Sequence, residues 1–134
     1  MKTLIVDDDF TSRSLLQRIL KEYGPANIAV NGKEALEAVR FALSSGEPYD
    51  LVCLDIMMPE MNGLDALPQM RTLEEEHGIV PGEGAMIIMT SALDNPKTVI
   101  ACYSNLCDAY LVKPIEKSKL FDELRRLKLI SKKG

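Results

Sequence analysis

The stretch Leu51-Val52-Cys53-Leu54-Asp55-Ile56-Met57-Met58-Pro59 decides how the rest of the chain is read. Its first four residues form an apolar run of the kind found in a strand buried on both faces, as in a parallel sheet covered by helices. The run ends in a carboxylate, Asp55, and Pro59-Glu60-Met61-Asn62-Gly63 turns the chain away. Ligands of open α/β sheets collect outside the carboxyl ends of the strands. Asp55 therefore stands where chemistry is done in such a fold.

Working outward, the pattern repeats. Lys2 to Val6 is a first strand that runs into Asp7-Asp8-Asp9. A helix begins at Thr11 or Ser12, with Leu15, Leu16, Ile19 and Leu20 on one face, and Gly24-Pro25 stops it. Asn27 to Val30 is a brief second strand. Asn31 caps a second helix, with Glu34 three residues on to reach back, and Ala35, Leu36, Val39, Ala42 and Leu43 line its inner face.

After Asp55, Asn62 caps a third helix running towards Glu76. Pro68 predicts a kink between Leu64 and Pro68, or a helix that starts only at Pro68, because proline removes a donor and crowds the preceding turn. Glu74 to Gly84 reads as a long polar, glycine-rich connection. Ala85 to Thr90 is a fourth strand ending in Thr90-Ser91. Asn95-Pro96 starts a helix that continues to about Leu106. Asp108 to Val112 is a fifth strand closed by Lys113-Pro114, and Ile115 to Leu129 a last helix with Leu120, Leu124 and Leu127 inward. Five β-α pairs without a break in composition predict a doubly wound parallel sheet in one domain over residues 1–130, with a frayed tail at 131–134.

Composition bounds the function. A chain of 134 residues with net charge −4 has no global basic field for nucleic acid. Apolar runs such as Met86-Ile87-Ile88-Met89 are too short for membrane insertion, and Leu4-Ile5-Val6 runs straight into acids rather than forming a signal peptide, so a cytoplasmic location is expected. Cys53 reads as a small apolar residue of a buried strand. Cys102 and Cys107 lack metal-ligand spacing, and the one histidine, His77, sits in a loop-like stretch.

If the first, third, fourth and fifth strands are parallel, one edge gathers Asp7, Asp8, Asp9 and Asp55 with Thr90, Ser91 and Lys113. Crowded carboxylates repel unless a cation or a proton relieves them. Oxygen ligands from few protein groups suit Mg²⁺, which keeps waters and shares its shell with phosphate. A lysine and a hydroxyl nearby supply what a phosphoryl group needs. The edge reads as a place for Mg²⁺-dependent phosphoryl transfer to a carboxylate.

With those residues in view, the chain resembles the receiver domains of two-component response regulators from Leu4 to about Leu129. The likeness rests on Asp7-Asp8, on Leu54-Asp55-Ile56-Met57-Met58-Pro59 followed by Asn62-Gly63, on Thr90, and on Lys113-Pro114. The resemblance implies a flavodoxin- or CheY-like strand order 2-1-3-4-5. It implies that Asp55 accepts a phosphoryl group from the phosphohistidine of a sensor histidine kinase or phosphotransfer protein. Asp8, Asp55 and the Met57 backbone carbonyl would hold Mg²⁺, with Asp7 acting largely through water. Lys113 would pair with the phosphoryl oxygens, Thr90 would swing in to hydrogen-bond them, and Tyr110 would turn inward as the aromatic switch. A cis bond before Pro114 is also implied, where cis costs little.

By the same resemblance the domain is a signalling module, not an enzyme on other substrates, and exists as a monomer or a phosphorylation-dependent dimer. Its output surface is the face formed by the fourth helix, fifth strand and last helix, where an unknown downstream protein docks. No effector segment follows the last helix, so output is expected by docking or from a longer protein. Met57 and Ala92, each two residues past Asp55 or Thr90, offer no acid or amide to position an attacking water. Asp9 lies outside the matched pair. The Glu74–Gly84 connection exceeds the usual family length.

Two rival readings have distinct requirements. Asp7-Asp8-Asp9-Phe10-Thr11 also fits the D-x-D-x-T signature of haloacid-dehalogenase-like phosphatases, with Asp7 as nucleophile and Asp9 as acid/base, but no acidic pair follows Lys113 outside the last helix. The other is a receiver-shaped interaction module that never takes phosphate.

Overall fold

The computed structural model describes residues 1–92 and 95–131. The expected fraying of Lys132-Lys133-Gly134 lies outside the described residues. Strands β1 (Thr3–Val6), β2 (Ala26–Ala29), β3 (Leu51–Asp55), β4 (Met86–Ser91) and β5 (Ala109–Val112) alternate with helices α1 (Phe10–Leu20), α2 (Gly32–Ser44), α3 (Gly63–Glu76), α4 (Pro96–Ser104) and α5 (Lys117–Arg126). All neighbouring strands pair in parallel, in the order β2-β1-β3-β4-β5. This is the order the resemblance implied.

Strand alternation builds one core on each face of the sheet. Leu4, Val6, Val52, Leu54, Ile87 and Met89 meet residues of α2 and α3 on one side. Ile5, Leu51, Cys53 and Ile88 meet Leu16 and Leu20 of α1 and Leu120 and Leu124 of α5 on the other. Because β3 is covered on both faces, all five of its residues are buried, Asp55 included.

Side-chain caps explain four of the five α-helix starts. Asn31, Asn62 and Asn95 each accept the backbone N–H three residues on, at 2.9 Å, opening α2, α3 and α4. Glu34 reaches back to the Val30 N–H at 3.0 Å, one residue before the cap. Helix α1 opens at Phe10, ahead of the expected Thr11, because Asp9 is its cap. It ends at Leu20, and a 3₁₀ turn at Lys21–Tyr23 leads to Gly24.

Three expectations need correction. Of the two alternatives for Pro68, the late start is overturned: α3 is α-helical from Gly63 through Pro68 to Glu76. The Asn62 cap and the burial of Gly63, Ala66 and Leu67 hold the first turns in place, while Pro68 itself faces solvent, so the lost donor falls on the outer side. Glu74 is not part of the connection that follows. It is a buried helical residue whose carboxylate pairs with Arg71 at 2.8 Å and accepts the Ala85 N–H at 2.7 Å. Helices α4 and α5 are shorter than the apolar pattern predicted. Leu106 and Lys128 take left-handed backbone, at φ 74° and 61°, which ends helical geometry before either residue.

Candidate functional site

The carboxyl ends of β1, β3, β4 and β5 gather the predicted residues. Strand β1 delivers Asp7, whose N–H donates to Ala29 of β2 at 3.1 Å and whose side chain is fully buried. Its Oδ1 accepts the Asp9 N–H at 2.9 Å, and its Oδ2 accepts the Lys113 ammonium at 2.8 Å. Asp8, next along, is exposed. Asp55 ends β3 only 3% exposed and lies 3.4 Å from the same Lys113 nitrogen. Carboxylate oxygens of Asp7, Asp8 and Asp55 lie within 4.8 Å of one another.

Thr90 stands directly across the ladder from Asp55 and is buried; its carbonyl accepts the Ile56 N–H at 3.1 Å. Lys113 follows β5, and its N–H donates to Ser91 of β4 at 2.7 Å. The bond between Lys113 and Pro114 is cis, as implied. Tyr110 is half-buried on β5 and packs against the α2–α3 side of the core.

The electrostatics follow from this crowding. Burial and the Asp7 charge push the Asp55 carboxyl up to about 6, and the Lys113 ammonium and the Met57 N–H only partly oppose them. Burial works against the Lys113 charge, but its hydrogen bond to Asp7 and the nearby Asp55 carboxylate more than compensate, so its pKa lies above the ordinary lysine value. Asp9 is different. Its carboxylate accepts both the N–H and the hydroxyl of Ser12, which hold it below the usual carboxylate range. It is a helix cap, so the acid/base that a phosphatase would need is turned away to α1.

Three carboxylates against one ammonium leave excess negative charge in a place where two of the three are buried. The donor set is all hard oxygen, so it fits Mg²⁺ rather than a softer ion.

Two features of the site were not foreseen. The loop from Ile56 to Asn62 is held at both ends by close backbone approach. The Gly63 N–H donates to the Ile56 carbonyl at 3.0 Å, and a Cβ on Gly63 would collide with the Asp55 carbonyl. The Gly32 N–H donates to the Met61 carbonyl at 3.0 Å, and a Cβ there would lie 2.6 Å from that same oxygen. The glycines are legible as turn formers, but the surfaces they meet come from distant chain. At the opposite edge of the sheet, Arg71 of α3 grips the Leu106 carbonyl at 3.0 and 2.8 Å, the Ala85 carbonyl at 2.8 Å and the Asp108 carboxylate at 2.9 Å. Nothing local in the sequence marks that hub.

A doubly wound α/β domain with an acidic pocket and a lysine at its strand ends is the architecture of a receiver. The family model of the response regulator receiver domain matches residues 3–125, and the chain belongs to that family, the receivers of two-component signalling. It is 32% identical over 128 residues to the chemotaxis protein CheY of Thermotoga maritima, covering 94% of this chain and 96% of that one. It is 36% identical over 128 residues to the sensory/regulatory protein RpfC of Xanthomonas campestris pv. campestris, covering 95% of this chain but only 16% of RpfC. Among solved structures, the receiver domain of the Arabidopsis thaliana histidine kinase CKI1, complexed with Mg²⁺ and BeF₃⁻, superposes with a TM-score of 0.81 at 29% identity, covering 96% of this chain and 90% of that one. Among the described residues no helix is long and apolar enough to cross a membrane.

Proposed function

We propose that residues 1–130 act as a receiver in which Asp55 accepts a phosphoryl group from a phosphohistidine of a sensor histidine kinase or phosphotransfer protein. The P–N bond to histidine breaks as the P–O bond to the Asp55 carboxylate forms. The observation that carries this reading is the convergence of Asp7, Asp8, Asp55 and Lys113, with carboxylate oxygens within 4.8 Å and the ammonium 2.8 and 3.4 Å from two of them.

Asp8, Asp55 and the Met57 carbonyl would hold Mg²⁺, with Asp7 reaching it through water; the ion supplies neutralising charge for an incoming phosphoryl group. The chain's own residues do the rest. Burial strips water from the Asp55 carboxylate and fixes its direction at the strand end, so attack is aligned in advance. Lys113 is shared between Asp7 and Asp55 and is free to follow the new negative charge on Asp55. Thr90, across the ladder, supplies a hydroxyl to a phosphoryl oxygen, and Tyr110 moves with it. The α4–β5–α5 face carries exposed Ile100, Tyr103, Leu106 and Val112, a surface suited to a downstream protein. The domain works in the cytoplasm, without direct nucleic-acid contact, as a monomer or a phosphorylation-dependent dimer.

The test is incubation with Mg²⁺ and acetyl phosphate followed by intact-mass measurement. One phosphoryl mass is expected per chain, absent when a chelator is present throughout the reaction and absent from Asp55→Asn. An unchanged mass under all conditions would favour the inert interaction module.

A further inference from the structure

Helix α4 ends in a Schellman arrangement built on two cysteines. The Cys107 N–H donates to the Cys102 carbonyl at 3.1 Å, and the Leu106 N–H donates to the Tyr103 carbonyl at 3.0 Å, with Leu106 left-handed between them. In this motif the side chains at its two ends, here Cys102 and Cys107, frequently pack together. With that 3.1 Å bond, covalent geometry keeps their Cα atoms no more than about 7 Å apart, at the reach of a disulfide. Both thiols are free and buried in the same core, on the α2–α3 side of the sheet. Cys53, the third, is buried on the opposite side, beneath α1 and α5, and cannot compete for either.

We propose that Cys102 and Cys107 are a reversible oxidation site, forming an intramolecular disulfide that ties the last turn of α4 to the chain entering β5. The oxidant is a small peroxide. One thiolate attacks it, an S–O bond forms as the O–O bond breaks, and water leaves behind a sulfenic acid. The second thiol attacks that sulfur, the S–S bond forms as the S–O bond breaks, and a second water carries off the remaining proton.

Access comes from α4 itself. Of its nine residues only Cys102 is buried, so local opening of the helix gives up little apolar contact. In the closed structure the Cys107 thiol is pushed up to about 12, mainly by burial and then by Cys102, which keeps it unreactive until α4 opens. The inference is independent of what Asp55 does.

The full chain, treated with dilute hydrogen peroxide and then denatured, should fall from three titratable thiols to one, with an intact-mass loss of two hydrogens. Peptide mapping should place the bond between residues 102 and 107, and dithiothreitol should restore all three thiols. Cys107→Ser and the alternative Cys102→Ala should each keep two thiols and show no hydrogen loss, so failure of one variant to fold does not remove the control. Added oxygen mass on Cys102 or Cys107 without disulfide, bonds only between chains, or pairing with Cys53 would each overturn the proposal.

Discussion

Asp55 is held in a conflict that a cation would relieve. Its carboxyl titrates near 6 in the folded chain against 3.8 ordinarily, raised by burial and by Asp7. Between those values the folded state keeps a proton that the unfolded state has lost. The stability this contributes is therefore full below about pH 4 and disappears as pH rises through 6. Metal-free Asp55→Asn should be more stable than the parent at pH 7, by about 1 kcal/mol or more, and the gap should close towards pH 4.5. Thermal melts of both proteins across that range check this; a gap independent of pH would contradict it. Mg²⁺ at a hundredfold excess over its dissociation constant should stabilise the parent at pH 7 by about 2.7 kcal/mol and Asp55→Asn much less. Lys113→Ala should leave phosphoryl acceptance partly intact, since the attacking oxygen and the other acids remain. It should remove the response of the α4–β5–α5 face, read as loss of the phosphorylation-dependent change in amide exchange there.

At the scale of elements, the site depends on how closely the acceptor loop lies against its neighbours. Gly63→Ala would drive a methyl group into the Asp55 carbonyl and should destabilise the chain by about 1–3 kcal/mol while slowing phosphorylation, measured by urea melts and acetyl phosphate kinetics. Arg71 joins α3 to the starts of β4 and β5, with Glu74 and Asp108 leaning on its charge. Arg71→Met leaves those two carboxylates without their cation and should cost about 3 kcal/mol in the same urea melts. Much at this scale was readable in advance. Asn31, Asn62 and Asn95 announce helix starts because capping is a local hydrogen bond, and the run from Leu51 to Leu54 announces a buried strand because burial on both faces demands apolar residues throughout. What was missed is non-local. Pro68 is tolerated because its crowded side faces water, and Glu74 looks like part of an acidic loop until Arg71 and Ala85 are folded against it. Chain ends of α4 and α5 depend on left-handed residues, Leu106 and Lys128, that carry no sequence mark of that geometry.

For the whole molecule, the parallel sheet converts four separate strand ends into one pocket. Asp7, Asp55, Thr90 and Lys113 are far apart along the chain, yet each lies within one residue of the end of its strand, so β-α alternation alone was enough to predict their meeting. Asp9 shows the limit of that reasoning: it sits in the same acidic run but turns to cap α1. The same sheet places Arg71 and the Cys102–Cys107 pair away from the acids, under the face expected to signal. Locating the phosphoryl group on the chain tests this account most directly. After reaction with acetyl phosphate and Mg²⁺, reduction of the acyl phosphate by borohydride and peptide sequencing should mark Asp55 alone. Label on Asp7, with Asp55 unmarked, would contradict it and return the chain to phosphatase-like chemistry.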